Sequence, residues 1–138
     1  MNEYSPTKMM SEEKGTLIEQ FDEFMNEYRV SAESIIAFLS FTNSLLLTKI
    51  ASNNITEEYK KELVDFIDYY DNNFKNYSSE VNSNWEDGPV TLRAARAFRE
   101  GRGHGIEVCQ INDSEIGNFV CEKSQAHVIL EYLNNYKS

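Results

Sequence analysis

Apolar residues recur at three- and four-residue steps through most of the first half of the chain. Leu17, Ile18, Phe21, Phe24, Met25 and Tyr28 form one such stripe, the pattern of an amphipathic helix. Ser11 stands ahead of it as an N-cap, and Glu12 and Glu13 would open the first turn where the helix dipole favours acid. Ser31 caps a second predicted helix over residues 32–51, in which Ile35, Ile36, Phe38, Leu39, Phe41, Leu45, Leu46, Leu47 and Ile50 surround most of the circumference. A helix apolar all round is central in a bundle or lies partly in a subunit interface. More apolar surface than three helices can cover predicts a homodimer.

Thr56 caps a third helix opening with Glu57 and Glu58, and Tyr59, Leu63, Phe66, Ile67, Tyr70, Phe74 and Tyr77 repeat at helical spacing. Short connections favour antiparallel neighbours, so residues 11–77 are expected to form a three-helix unit. Residues 78–89, SSEVNSNWEDGP, read as a loop ending in a turn. Pro89 suits the start of a short fourth helix over about residues 90–100, stopped by Gly101. Two β-branched runs, 106–111 and 115–122, flank Asn112-Asp113-Ser114 and predict a hairpin with Ile111 facing Ile116. In that register Cys109 faces Asn118 and Cys121 faces Ile106, so the thiols do not meet. Ser124 caps a last helix with Val128, Ile129, Tyr132, Leu133 and Tyr136 on its apolar side. The expectation is a single mainly helical α+β domain over residues 1–138, with the 89–138 helix-hairpin-helix portion packed on the bundle.

Charge adds a second layer. Residues 1–88 hold 17 Asp and Glu against 7 Lys and Arg, whereas residues 89–138 hold 6 of each, so the first part carries the whole net charge of −10. That balance argues against nucleic-acid phosphate or an anionic membrane as the main partner. The uncharged stretch 34–48 rises only about 22 Å as a helix and fits a buried element better than a membrane span. No secretory signal opens the chain, and two cysteines are too few for a disulfide framework, so a cytoplasmic protein with free thiols is expected.

Glu12, Glu19, Asp22 and Glu23 on the first helix, with Glu58, Glu62, Asp65 and Asp68 on the third, would form a negative field on a rigid scaffold. Such a field captures a basic protein surface, and Trp85 in the following acidic loop is a candidate interface anchor or a lid on the core. Opposed to it stand Arg93, Arg96, Arg99 and Arg102, followed by GRGHG at 101–105. Arginine forks hold phosphate or carboxylate in two-pronged geometry, so this segment is either an anion site with His104 or a partner for the chain's own acids or for a second subunit. The glycines follow the helix, whereas in phosphate loops they precede it. Arg99 and His104 stand in Arg-x4-His spacing, which is similar to that of HEPN-type ribonucleases. There the motif lies on one continuous helix; here Gly101 and Gly103 interrupt it, and the chain is not assigned to that family.

No histidine or cysteine pair has zinc-ligand spacing, and neither metal nor cofactor is expected. The leading expectation is a small acidic binding protein, not an enzyme, that inhibits a macromolecular target by occupying a basic surface. Immunity proteins, antitoxins and phage anti-defence proteins share that size and acidity. A nucleotide- or phosphate-binding protein is the alternative, and a small ribonuclease using Arg99 and His104 stands behind it.

Overall fold

The computed structural model describes residues 15–137. Helix α1, Leu17–Tyr28, is opened by Thr16, whose hydroxyl accepts the Glu19 N–H while the Glu19 carboxylate accepts the Thr16 N–H. This reciprocal cap satisfies two of the donors that every helix start leaves open. The cap expected at Ser11, with Glu12 and Glu13, lies outside the described residues. Helix α2, Ala32–Ala51, starts at Ser31, and α3, Glu57–Asn73, starts at Thr56, as the sequence predicts.

Between α1 and α2 the chain turns at Arg29, whose φ of +68° is a conformation that side chains disfavour. Ser34 holds the corner by donating its hydroxyl to the Arg29 carbonyl at 2.7 Å.

Contacts set the topology. The Leu17 N–H donates to Glu62 and the Tyr69 hydroxyl to Asp22, so α1 and α3 lie side by side and run the same way. Helix α2 runs against both, with Phe38 meeting Phe21, Phe24 and Phe66. Phe21 is the hub: fully buried, it meets Phe38, Phe66 and Phe74 edge-on at 5.1–5.3 Å between centroids, the arrangement aromatic quadrupoles prefer.

The third helix ends sooner than its periodicity implies. After Phe74 a 3-10 turn, Lys75–Tyr77, leads into a short helix α4, Ser78–Asn82. Part of the segment expected as loop is therefore helical, anchored by Val81, which is fully buried. One apolar residue in SSEVNSN leaves no period to detect. Helix α5, Val90–Arg99, follows Pro89 and runs antiparallel to α3.

The hairpin joins β1, Val108–Asp113, to β2, Gly117–Glu122, and its register differs from the expected one. Ile111 pairs with Phe119 and Cys109 pairs directly with Cys121. The cause is the turn. Asp113 accepts the N–H groups of both Glu115 and Ile116 through Oδ1, which draws 114–116 into the turn, and Gly117 with φ +109° restarts the strand. A carboxylate closing a turn on its own backbone is ordinary Asx chemistry, but nothing in the alternation of apolar residues signals where it acts.

The two hairpin faces alternate in destination. Val108 packs on the bundle core, while Cys109, Ile111, Phe119 and Cys121 meet the last helix, α6, Ala126–Lys137. The result is three layers: bundle, hairpin, helix. The hairpin covers the side of α2 that three helices leave open, and no side chain of α2 larger than alanine that is apolar stays exposed. Helix α2 is long and apolar enough to cross a membrane by length and composition; in this fold Ile35, Phe38, Leu39 and Leu46 are buried in the core and Ile36, Phe41, Leu47 and Ile50 pack partly buried against it. The reason for expecting a second copy is thus met within one chain.

Helix α6 departs from expectation. Leu133 is buried and Ile129 and Ala126 pack beside it, but Val128, Tyr132 and Tyr136 are 51%, 67% and 71% exposed. A two-stranded ribbon is too narrow to cover more than one stripe of a helix. Ser124 falls within a 3-10 turn, Lys123–Gln125, and the helix begins after it.

Candidate functional site

The arginine segment occupies the exposed side of α5, whose other side buries Leu92, Ala94, Ala95 and Ala97. Each arginine meets a carboxylate of the same chain. Arg93 reaches across to Glu122 on β2 and also donates to the Gly88 carbonyl. Arg96 holds Asp71 at 2.7 Å, and Arg99 bridges Asp68 at 3.0 Å and Asp71 at 3.3 Å. Arg102 pairs with Glu100 at 2.9 Å. Antiparallel packing of α5 on α3 puts basic and acidic positions opposite one another, so the segment works as a clip between helices and hairpin. Of the readings open in the sequence, pairing with the chain's own acids is the one this geometry displays.

His104 is half-buried, with its ring edge-on to Phe98 and Nδ1 accepting the Ile106 N–H at 3.0 Å. That bond requires an unprotonated Nδ1 and leaves the proton of a neutral ring on Nε2. Arg99 is turned toward α3, so the two residues of the Arg-x4-His spacing serve different neighbours. Cys109 and Cys121 lie together on the hairpin, 3.7 Å between sulfurs.

The acidic positions divide into three groups. Asp68 and Asp71 face α5 and are bound by arginine. Several others serve the bundle itself. Glu19 caps α1, Asp22 accepts the Tyr69 hydroxyl at 2.6 Å, Glu62 accepts the Leu17 N–H at 2.9 Å, and Asp65 pairs with Lys61. The Asp22 carboxylate, with burial and charge adding to the hydrogen bond, holds the Tyr69 phenol up at about 12. A third group has no cationic partner among the described residues: Glu23 and Glu27 on α1, Glu33 at the start of α2, Glu58 on α3, Glu80, Glu86 and Asp87 beyond it, and Glu115 and Glu131 in the C-terminal part. Glu12 lies outside the described residues. Trp85 is half-buried and packs against the core.

Where α1 and α3 begin and α2 ends, the three helices leave a cleft of about 280 Å³. Leu17, Phe38, Phe41, Leu45 and Tyr59 line it, and Glu58, Glu62 and Lys49 stand at it. Lys49 is held over the Tyr59 ring, 4.9 Å from the centroid. Gln20, Thr42 and Thr56 complete a lining that is part apolar and part polar, and a basic side chain entering it would find apolar cover along its methylenes and acid near its tip. Helical periodicity marks Leu17, Phe41 and Tyr59 as core but carries no sign that they stop short of filling the space between them.

One buried feature escaped the sequence altogether. Pro89 caps α5 without a side-chain acceptor, and Asn43 from the middle of α2 supplies one, Oδ1 accepting the Thr91 N–H at 2.8 Å and the Thr91 hydroxyl at 2.7 Å. Thr42 adds a hydroxyl contact to Thr91 at 2.8 Å. Two polar residues inside the apolar run of α2 were the available signal.

No protein-family model matches the chain, and no curated protein or solved structure is significantly similar to it.

Proposed function

We propose that the protein is a small acidic binding protein that occupies a basic surface on a macromolecular target, in the manner of an immunity protein, antitoxin or phage anti-defence inhibitor acting in the cytoplasm. The observation that carries this reading is the outcome of charge pairing. All four arginines of residues 93–102 are engaged by in-chain carboxylates, while Glu23, Glu27, Glu33 and Glu58 are not engaged by any described cation. The surplus on the exterior is negative. A rigid, unpaired acidic surface speeds encounter with a basic partner and selects against acidic ones. In this reading the cleft receives a lysine or arginine of the partner, with Glu58 and Glu62 beside its head, and Glu19, Asp22 and Glu23 on α1 with Asp65 on α3 adding to the negative field. A phosphate ligand at Arg93–Arg102 would have to displace Asp68, Asp71 and Glu122 first, which disfavours that reading.

The test is affinity capture at low and moderate salt, with the wild type beside a Glu23→Lys/Glu58→Lys variant whose fold is checked by circular dichroism. One stoichiometric basic protein, lost in the variant and associating several-fold more slowly as ionic strength rises toward physiological values, supports the reading. A partner whose association ignores both salt and charge reversal refutes it.

A further inference from the structure

We propose that Cys109 and Cys121 close into a reversible cross-strand disulfide, making the hairpin a redox-operated clasp beneath α6. Both cysteines are free thiols and stand directly opposite one another in the antiparallel register. Their sulfurs are 3.7 Å apart, so bonding at the normal length of about 2.05 Å requires them to approach by about 1.6 Å. Both side chains point to the face covered by Leu133 and Ile129. The covering is unequal: Cys121 is buried and Cys109 half-exposed, so an oxidant from solvent meets Cys109 first. Burial, and then the neighbouring Cys109 sulfur, push the Cys121 thiol up to about 11, which keeps Cys121 protonated while Cys109 reacts.

With a peroxide as oxidant the chemistry closes in two steps. The Cys109 sulfur takes one peroxide oxygen and becomes a sulfenic acid, releasing one water. The Cys121 sulfur then attacks the Cys109 sulfur; its proton leaves with the displaced hydroxide as a second water. Two thiols have lost two protons and two electrons, and the peroxide has gained them. A dithiol reductant reverses the bond by exchange. Closure constrains the 12-residue separation between the cysteines and fixes the one surface on which α6 buries its apolar stripe.

The experiment is intact-mass spectrometry of the full chain after hydrogen peroxide, with peptide mapping and thermal melts before and after reduction. The expected product is a monomer lighter by about 2 Da with the two cysteine peptides linked, melting several degrees higher and restored by dithiothreitol. Cys121→Ser should instead gain about 16 Da at Cys109, and Cys109→Ser should form no intramolecular bond. Oxygen added to the wild type without the 2 Da loss, or a disulfide-linked dimer as the sole oxidised product, overturns the proposal. So does an unchanged mass.

Discussion

Asn43→Ala is the sharpest probe of how the arginine-bearing helix is held. Asn43 is 6% exposed and Thr91 is fully buried. Removing the amide leaves the Thr91 N–H without an acceptor, at a cost of about 1–3 kcal/mol for a buried donor. The Thr91 hydroxyl loses less because Thr42 remains within 2.8 Å. A small cavity adds to the loss. One term opposes it: Asn43 Nδ2 has no partner among the described residues, so truncation also removes a desolvated amine worth about 1 kcal/mol. The net is about 2 kcal/mol, the upper part of the range for a lost helix cap. For a chain of this size that lowers the melting temperature by about 7 °C. Thermal and urea unfolding of the variant, combined with Thr91→Val and the double variant, should give a coupling energy of about 1 kcal/mol. The Thr91 amide should also exchange faster in Asn43→Ala. A loss under about 0.5 kcal/mol, or strict additivity with Thr91→Val, would refute the cross-helix cap.

Three further outcomes follow from single contacts. Tyr69 has its pKa raised from 10.0 to about 12, first through the Asp22 hydrogen bond, so the folded state holds the proton more tightly and the contribution is complete below pH 10. It declines as pH rises toward 12, and urea titrations should show wild type converging on Tyr69→Phe across that window. Asp113 is held down at about 2 from 3.8, chiefly by Lys137 and then by the Ile116 N–H. Its contribution is therefore present above pH 4 and lost as pH falls toward 2, and Asp113→Asn should flatten the acid limb of hairpin and α6 unfolding followed by amide exchange. Arg29 sits at φ +68° with an exposed side chain, so Arg29→Gly should stabilise the fold by about 1 kcal/mol in thermal unfolding; a loss of stability would mean that the corner is not strained.

Legibility followed the range of the interaction. Ser31 and Thr56 announce α2 and α3 because capping is a contact over three residues. The start of α1 was displaced because Thr16 and Glu19 form the described cap. The hairpin was visible from β-branched runs, yet its register was not, since Asp113 decides it by bonding the next turn. Helix α6 exposed the limit of periodicity: Val128, Tyr132 and Tyr136 make a stripe beside that of Leu133, and only the width of the supporting ribbon selects which one is buried. The cross-helix cap and the cleft depend on residues far apart in the chain: Thr42 and Asn43 mark a polar interruption in α2, but local pattern does not name Thr91 as their partner.

The charge split acquires a different meaning once helices are placed. In the sequence an acidic N-terminal portion and a basic segment suggest two opposed surfaces. In the fold α5 lies antiparallel on α3, and Arg96 and Arg99 spend their charge on Asp71 and Asp68. These pairs are partly exposed and screened by solvent, so each contributes little to stability. Their larger effect is on orientation, because wrong docking of α5 would leave like charges facing. Arg93 extends the same logic to the hairpin through Glu122. Pairing the basic segment internally leaves Glu23, Glu27, Glu33 and Glu58 without a cationic partner among the described residues. The acidic surplus that includes Glu23, Glu27, Glu33 and Glu58 is therefore a consequence of how the fold is assembled, and on the proposed reading it is what a basic partner would meet.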